Sequence, residues 1–170
     1  MRDQLSIQRV KDLHPAISVT VEHGINLAED KLGPKACIRV VQGIRTIQYQ
    51  HYLYAQGRTR PGKIVTNAKG GRSFHNYGLA FDFAIMYDLD SSGTFETLSW
   101  DTLADKDIDG ESDWMEVVEV FKGLGFTWGG DFVKIKDNPH FQKTFGLTWL
   151  NLLNRYNSGR LIKGTNFVLI

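Results

Sequence analysis

Asp82 is the residue whose surroundings most demand a chemical explanation. It lies inside the run Ala-Phe-Asp-Phe-Ala, with apolar side chains on both sides. A carboxylate buried in such surroundings loses its hydration, at a cost of roughly several kcal/mol, unless a cation or hydrogen-bond donors compensate it. Asp82 is therefore either the acceptor of an ion pair or of backbone amides, or the ligand of a metal ion.

Two histidines can share such an ion with Asp82. His75 lies seven residues before it, at the entrance to the same apolar run, and His140 lies three residues after Asp137. Two imidazoles and one carboxylate leave the fourth position of a tetrahedral zinc ion open for water, as catalytic zinc sites do. A closed structural site would favour thiolates, and the only cysteine, Cys37, is remote. Spacing alone leaves the metal site and a structural role equally open.

The remaining pattern predicts the elements that must position these residues. Apolar residues at helical spacing, with cap and stop signals, predict helices over residues 15–32, 48–56, 114–124 and 147–156. Short or alternating apolar runs predict strands over 37–41, 79–86 and 126–128, and a last strand near His140. Residues 58–72 read as a long loop, which inside a compact domain is often functional. These elements indicate an α+β domain with a small, mainly antiparallel sheet flanked by helices.

Composition limits the classes of partner. A chain of 170 residues with 42% apolar and 23% charged residues fits one globular domain, residues 1–170. With 20 basic and 19 acidic residues, the net charge of +1 gives no electrostatic indication of a nucleic-acid partner. We find no membrane-spanning run and no signal peptide, so we expect a chain that is made in the cytoplasm and does not act in a membrane. We also expect a monomer.

Residues 73–82 carry a resemblance to a known family. Their sequence, Ser-Phe-His-Asn-Tyr-Gly-Leu-Ala-Phe-Asp, resembles the Ser-x-His-x-x-Gly-x-Ala-x-Asp signature of the L-alanyl-D-glutamate peptidases. These enzymes are relatives of the D-Ala-D-Ala carboxypeptidases and dipeptidases, and occur in phage endolysins and bacterial cell-wall hydrolases. Further similar blocks follow the family's order, at residues 43–45, 53–59, 128–132 and 139–141. The resemblance implies a hedgehog/D,D-peptidase-like zinc peptidase fold.

The same resemblance implies roles for individual residues. His75, Asp82 and His140 match the zinc ligands, and Asp137 matches the catalytic carboxylate, which is Glu in many relatives. Arg45 matches an arginine near the scissile carbonyl; alternatively, it is a surface residue or the partner of an acidic group. The implied reaction is hydrolysis of peptidoglycan stem peptides at the L-Ala–D-Glu bond. Zinc would activate water, Asp137 would take its proton, and Arg45 would offset charge on the carbonyl oxygen.

Two more residues are candidates for substrate binding. Ser73 either hydrogen-bonds the substrate or shapes the turn before the strand, and Trp128 either floors the cleft or belongs to the core. Asp131 competes with Asp137 for the role of base because it also precedes His140, but its place after two glycines indicates a turn.

A calcium-loop pattern begins in the acidic segment 88–113 and ends at Glu116. Oxygen-bearing residues alternate, a glycine allows the sharp turn, and a glutamate closes the loop, as in EF-hands: Asp105, Asp107, Asp109, Gly110, Asp113 and Glu116. The alternative is a solvated acidic turn, since no helix clearly precedes the loop. The expected cofactors are thus Zn²⁺ and, at this second site, Ca²⁺.

Two alternative functions remain beside the L-alanyl-D-glutamate endopeptidase. One is a D-Ala-D-Ala carboxypeptidase or dipeptidase of the same family, and the other is a zinc-bearing, non-catalytic wall-binding module. Retention of Asp137 argues against the module, because holding zinc does not require it. We expect no separate wall-binding domain, and an enzyme that acts on the wall after holin-type release or lysis.

Overall fold

A computed structural model describes all residues 1–170. The five α-helices are α1 (Gln4–Lys11), α2 (Pro15–Lys31), α3 (Ile47–Ala55), α4 (Asp113–Gly123) and α5 (Trp149–Asn157). The five strands are β1 (Ala36–Gln42), β2 (Ala80–Tyr87), β3 (Thr97–Ser99), β4 (Thr127–Trp128) and β5 (His140–Gln142). Short 3₁₀ helices cover Phe74–Tyr77 and Gly129–Asp131. None of the helices has both the length and the apolar character needed to cross a membrane.

Strand β2 is the centre of one open antiparallel sheet. It pairs with β1 along one edge, and with β5 and β3 at opposite ends of the other edge. Strand β4 extends the sheet beyond β5. The predicted α+β class, with a small antiparallel sheet flanked by helices, is confirmed.

Alternation along β2 separates the core from the site. Phe81 and Phe83 are fully buried on the face that packs against α4, where Phe121 and Trp114 lie 5.0 and 4.3 Å from them, ring centre to ring centre. Successive side chains of a strand point to opposite faces, so Asp82 points away from this aromatic core. The core therefore fixes the strand while leaving the carboxylate free to face a cleft.

Two elements escaped prediction from the sequence. Helix α1 has a weak apolar pattern, although Asp3 caps it by accepting a hydrogen bond from the backbone N–H of Ser6 at 2.8 Å. Strand β3 has only three residues, none of them buried, inside the acidic segment 88–113. Residues 88–96 link it to β2 as the loop of a hairpin.

Candidate metal centre

Three side-chain atoms converge at the end of β2. His75 Nε2 lies 3.1 Å from Asp82 Oδ1 and 3.1 Å from His140 Nδ1, and the last two atoms are 3.0 Å apart. Ligand atoms about 2.0 Å from a tetrahedral zinc ion lie about 3.3 Å from one another. The near-equilateral triangle therefore fits one small ion.

The sheet register explains how the fold brings these residues together. Asp82 and His140 are directly opposite on the antiparallel strands β2 and β5, so their side chains leave the same face side by side. His75 lies in the 3₁₀ helix that precedes β2. Gly78, with φ of 68°, ends that helix and turns the chain into the strand. Only a residue without Cβ adopts this conformation readily.

Outer hydrogen bonds determine which ring nitrogen of each histidine faces the centre. The Nδ1–H of His75 donates to the carbonyl oxygen of Gly43 at 2.8 Å, and the Nε2–H of His140 donates to Oε1 of Gln142 at 3.1 Å. Each ring then presents an unprotonated nitrogen to Asp82. Three electron-rich atoms about 3 Å apart need a cation between them, which is the strongest structural argument for a metal site.

A proton and a metal ion compete for this position. Burial opposes ionisation of Asp82, but the two imidazoles outweigh it and hold the pKa of Asp82 well below its usual range. Burial also lowers the pKa of His140, yet when the ring is protonated its Nδ1–H donates a hydrogen bond to Asp82, and this outweighs burial and leaves the pKa raised. Because a ligating histidine must be neutral, metal affinity should fall as the pH falls.

The three ligands open onto a polar cleft of about 330 Å³. Arg45, Ser73 and Asp137 also line it, so the fold gathers six of the residues singled out in the sequence into one site. The other walls come from the loop after α3, at Thr66 and neighbouring residues, and from Phe132.

Asp137 lines this cleft together with His75, Asp82 and His140. Its backbone is fixed because its N–H donates to the carbonyl oxygen of Gly129 at 3.0 Å, and its own carbonyl accepts from the N–H of His140 at 3.1 Å. Partial burial of the carboxyl group, and then the nearby charge of Asp82, raise the pKa of Asp137. A raised pKa makes the ionised carboxylate a better proton acceptor. It also predicts that activity falls as the pH is lowered and Asp137 becomes protonated.

Replacing Gly129 by alanine should lower both metal content and activity. A Cβ at this position would overlap the carbonyl oxygen of Asp137 and would approach Cβ of His140 to 2.9 Å. We therefore expect Gly129→Ala to push Asp137 and His140 apart and to reduce kcat/KM by about 10²-fold. Gly123→Ala is the matched control, since a Cβ there meets no atom within 4 Å. Equal activity of the two variants would contradict this reading of the loop.

Arg45 reaches the site from the segment before α3. One guanidinium nitrogen lies 3.9 Å from Oδ2 of Asp82, and another donates to Oε1 of Gln50 at 2.8 Å. Its Nε is buried without a partner in the chain. The Arg45 side chain is only 13% exposed, so the surface alternative is wrong. The other two sequence interpretations, a residue facing the substrate carbonyl and a partner of an acidic group, are both compatible with this placement.

Trp128 and Asp131 lie outside the cleft lining. Trp128 packs against the core, and its Nε1–H donates to the carbonyl oxygen of Asn138 at 2.6 Å, so its contacts favour the core alternative. A contact of Trp128 with substrate stays a prediction. Asp131 is half-exposed and pairs with Lys122 at 2.7 Å, which agrees with a turn role for it.

Sequence reasoning missed the residues that orient the ligands. Gln142 could have been found, because it follows His140 by two residues and so shares its strand face. Gly43 orients His75 through its backbone carbonyl oxygen, and Gln50 holds the guanidinium of Arg45. The side-chain types of Gly43 and Gln50 gave no signal of these roles.

The acidic loop brings its carboxylates into two overlapping groups. Ligand atoms of Asp107, Asp109 and Glu116 lie within 4.8 Å of one another, and so do those of Asp105, Asp107 and Asp113. Glu116 is only 4% exposed, and its Oε2 has no hydrogen-bond partner. Burial, followed by the charges of Asp109 and Asp107, raises the pKa of Glu116 to about 7. The loop thus concentrates negative charge around a buried carboxylate.

Comparisons with known proteins show which peptidases this chain resembles. A family profile described as D-alanyl-D-alanine carboxypeptidase matches residues 66–143, a range that includes His75, Asp82 and His140. The peptidoglycan L-alanyl-D-glutamate endopeptidase CwlK of Bacillus subtilis is 44% identical over 131 residues, 77% of this chain and 73% of that protein. The L-Ala D-Glu endopeptidase ChiX of Serratia marcescens has a similar structure, with a TM-score of 0.52 at 23% identity, covering 84% of this chain and 88% of that one. This last likeness shows a shared fold.

Proposed function

Because the chain belongs to the L-alanyl-D-glutamate peptidase family, we propose that it is a zinc-dependent endopeptidase that cuts the L-Ala–D-Glu bond of peptidoglycan stem peptides. The observation that carries the proposal is the triangle of ligand atoms, which faces the same cleft as Asp137. A site that only held a metal would not need a carboxylate beside the open position.

The donor set fits zinc better than other common ions. Two neutral imidazole nitrogens and one carboxylate oxygen are borderline ligands that suit zinc, whereas calcium and magnesium prefer oxygen alone. His75, Asp82 and His140 would hold the ion. When bound there, zinc supplies a Lewis acid that polarises a carbonyl and lowers the pKa of water.

The chain's own residues provide the proton transfer and the charge compensation. Asp137 accepts a proton from the attacking water and passes it to the departing amine nitrogen, as a general base and then a general acid. The raised pKa of Asp137 suits both steps. Arg45 stabilises negative charge on the oxygen of the attacked carbonyl, and its hydrogen bond to Gln50 keeps the guanidinium in the cleft wall.

The bond specificity can be tested by digestion of purified peptidoglycan followed by mass spectrometry. We expect two kinds of new product: fragments that end in L-alanine and fragments that begin with D-glutamate. The family profile's description favours one competing function, removal of a terminal D-alanine, and exclusive loss of D-alanine would replace the proposal with that carboxypeptidase activity. Metal-loaded protein that binds the wall without any cleavage would indicate the non-catalytic module.

The proposal includes a monomer that reaches the wall through holin-type release or lysis.

We also propose that the acidic loop of residues 105–116 binds calcium. Glu116 supports this, because a buried carboxylate with a partnerless oxygen gains most from a cation among Asp107 and Asp109. Helix α4 begins inside the loop, as the exit helix of an EF-hand does, while the element before it is strand β3 and not a helix.

Replacing Glu116 by glutamine should make stability independent of calcium. The pKa of Glu116 is raised from 4.5 to about 7, so its contribution to stability is present below pH 4.5 and is lost as the pH rises through 7. Without calcium, the wild type should therefore melt at a lower temperature at about pH 8 than at about pH 5. Glu116→Gln should reduce this fall, and this variant, unlike the wild type, should gain no stability from calcium.

The matched control is Glu119→Gln, which removes an exposed carboxylate from the same helix. This variant should respond to calcium as the wild type does. If thermal melts of the zinc-loaded wild type show no shift up to roughly millimolar calcium, the loop is a solvated turn.

A further inference from the structure

Arg72 is a cation at the cleft that the proposed mechanism does not use. It lines the cleft next to Ser73 and close to His75. Its guanidinium takes part in none of the ion pairs of the chain. Its close side-chain partner is the ring of Trp149 at the start of α5, whose centre lies 4.8 Å from the guanidinium carbon. The hydrogen-bond donors of Arg72 are therefore available to a ligand.

The second arginine of the cleft differs in this respect. Arg45 already faces Asp82 and donates to Gln50, so its guanidinium is committed to the chain. No aspartate or glutamate occurs between Leu32 and Phe81, so the segment that carries Arg72 has no carboxylate to neutralise it. Arg72 is thus the free positive charge of the site.

The backbone just before Arg72 is held in place. Gly71 has φ of 80°, and its carbonyl oxygen accepts a hydrogen bond from the hydroxyl of Tyr77 at 2.7 Å. The N–H of Gly71 donates to Oδ1 of Asn76 at 3.0 Å. The Trp149 ring restricts the guanidinium by a cation–π contact. A side chain that is positioned in advance loses less entropy when it binds an anion.

The chemistry of the substrate supplies such an anion. Glutamate has two carboxyl groups, and only one of them can form the amide bond to the next residue of the stem. The other is a carboxylate unless it is amidated, and a planar guanidinium can bind it through two parallel hydrogen bonds. We propose that Arg72 binds this free carboxylate of the D-glutamate and thereby determines specificity for it, with Trp149 as a positioning residue. This inference rests on the proposed L-Ala–D-Glu activity.

The test compares two synthetic stem peptides that differ only in that group. One peptide carries the D-glutamate with its second carboxyl free, and the other carries it as a carboxamide. We expect the zinc-loaded wild type to prefer the acid by about tenfold in kcat/KM, mostly through KM, as charge-assisted hydrogen bonds predict. Arg72→Met should bring the ratio to about one. Arg72→Lys keeps the positive charge but loses the planar guanidinium, and Trp149→Leu keeps the guanidinium but loses the ring that positions it, so both should give intermediate ratios.

Lys63→Met is the matched control, because it removes one positive charge from the same loop at a residue outside the cleft lining. Its preference for the acid should equal that of the wild type. An unchanged ratio in active Arg72→Met or Trp149→Leu, or a wild-type ratio near one, would overturn the assignment of Arg72 while leaving the endopeptidase proposal intact. If the wild type cleaves neither peptide at the L-Ala–D-Glu bond, the proposed function itself fails.

Discussion

Asp137→Ala should reduce kcat/KM on peptidoglycan peptides by about 10³-fold, the effect expected for loss of a general base. The variant should keep its metal, because Asp137 lines the cleft but is not part of the triangle of ligand atoms. His140→Ala should lose both metal and activity. Steady-state kinetics together with metal analysis of the two purified variants measures this contrast.

Asp131→Ala is the matched control for Asp137→Ala. Asp131 pairs with Lys122 outside the cleft, so its loss should leave kcat/KM within about twofold of the wild type. Loss of metal from Asp137→Ala would make Asp137 a ligand, and the assignment of Asp82 would then need revision.

Phe81→Ala should lower the free energy of unfolding by about 3–5 kcal/mol, the range for a fully buried aromatic residue. The ring of Phe81 lies among Phe121, Phe126 and Phe141, with ring centres 5.0 to 5.8 Å away. The residue also precedes Asp82 and pairs across the sheet with Phe141, the neighbour of His140. Chemical denaturation of the zinc-loaded protein measures the change.

Phe145→Ala provides the comparison, because Phe145 is 42% exposed. Its removal should change the free energy of unfolding by less than about 1 kcal/mol. Similar losses in both variants would mean that the aromatic cluster under β2 does not dominate stability.

The proposed ligands could be singled out from the sequence because each carries its own signal. Asp82 stands out as a charge inside an apolar strand, and His75 and His140 complete a known ligand chemistry. The starts of α3 and α4 were also predictable: the helices begin at Ile47 and Asp113, each one residue before the position that the sequence pattern predicts.

The remaining features depend on contacts that sequence order does not reveal. The hydrogen bond from His75 to the carbonyl oxygen of Gly43 and the stacking of Arg72 on Trp149 become visible only when strands and helices are packed. Strand β3 exists because β2 offers an unpaired edge, and not because of its own pattern. Metal ligands are predictable from residue type, whereas the groups that orient them follow from register and packing.

The most direct test of the metal centre is elemental analysis of the purified protein before and after chelation, with activity measured on the same samples. The site formed by His75, Asp82 and His140 predicts about one zinc ion per chain. Its removal should abolish cleavage of wall peptides, and added zinc should restore it. Protein that contains no transition metal and still cleaves these peptides would contradict the account.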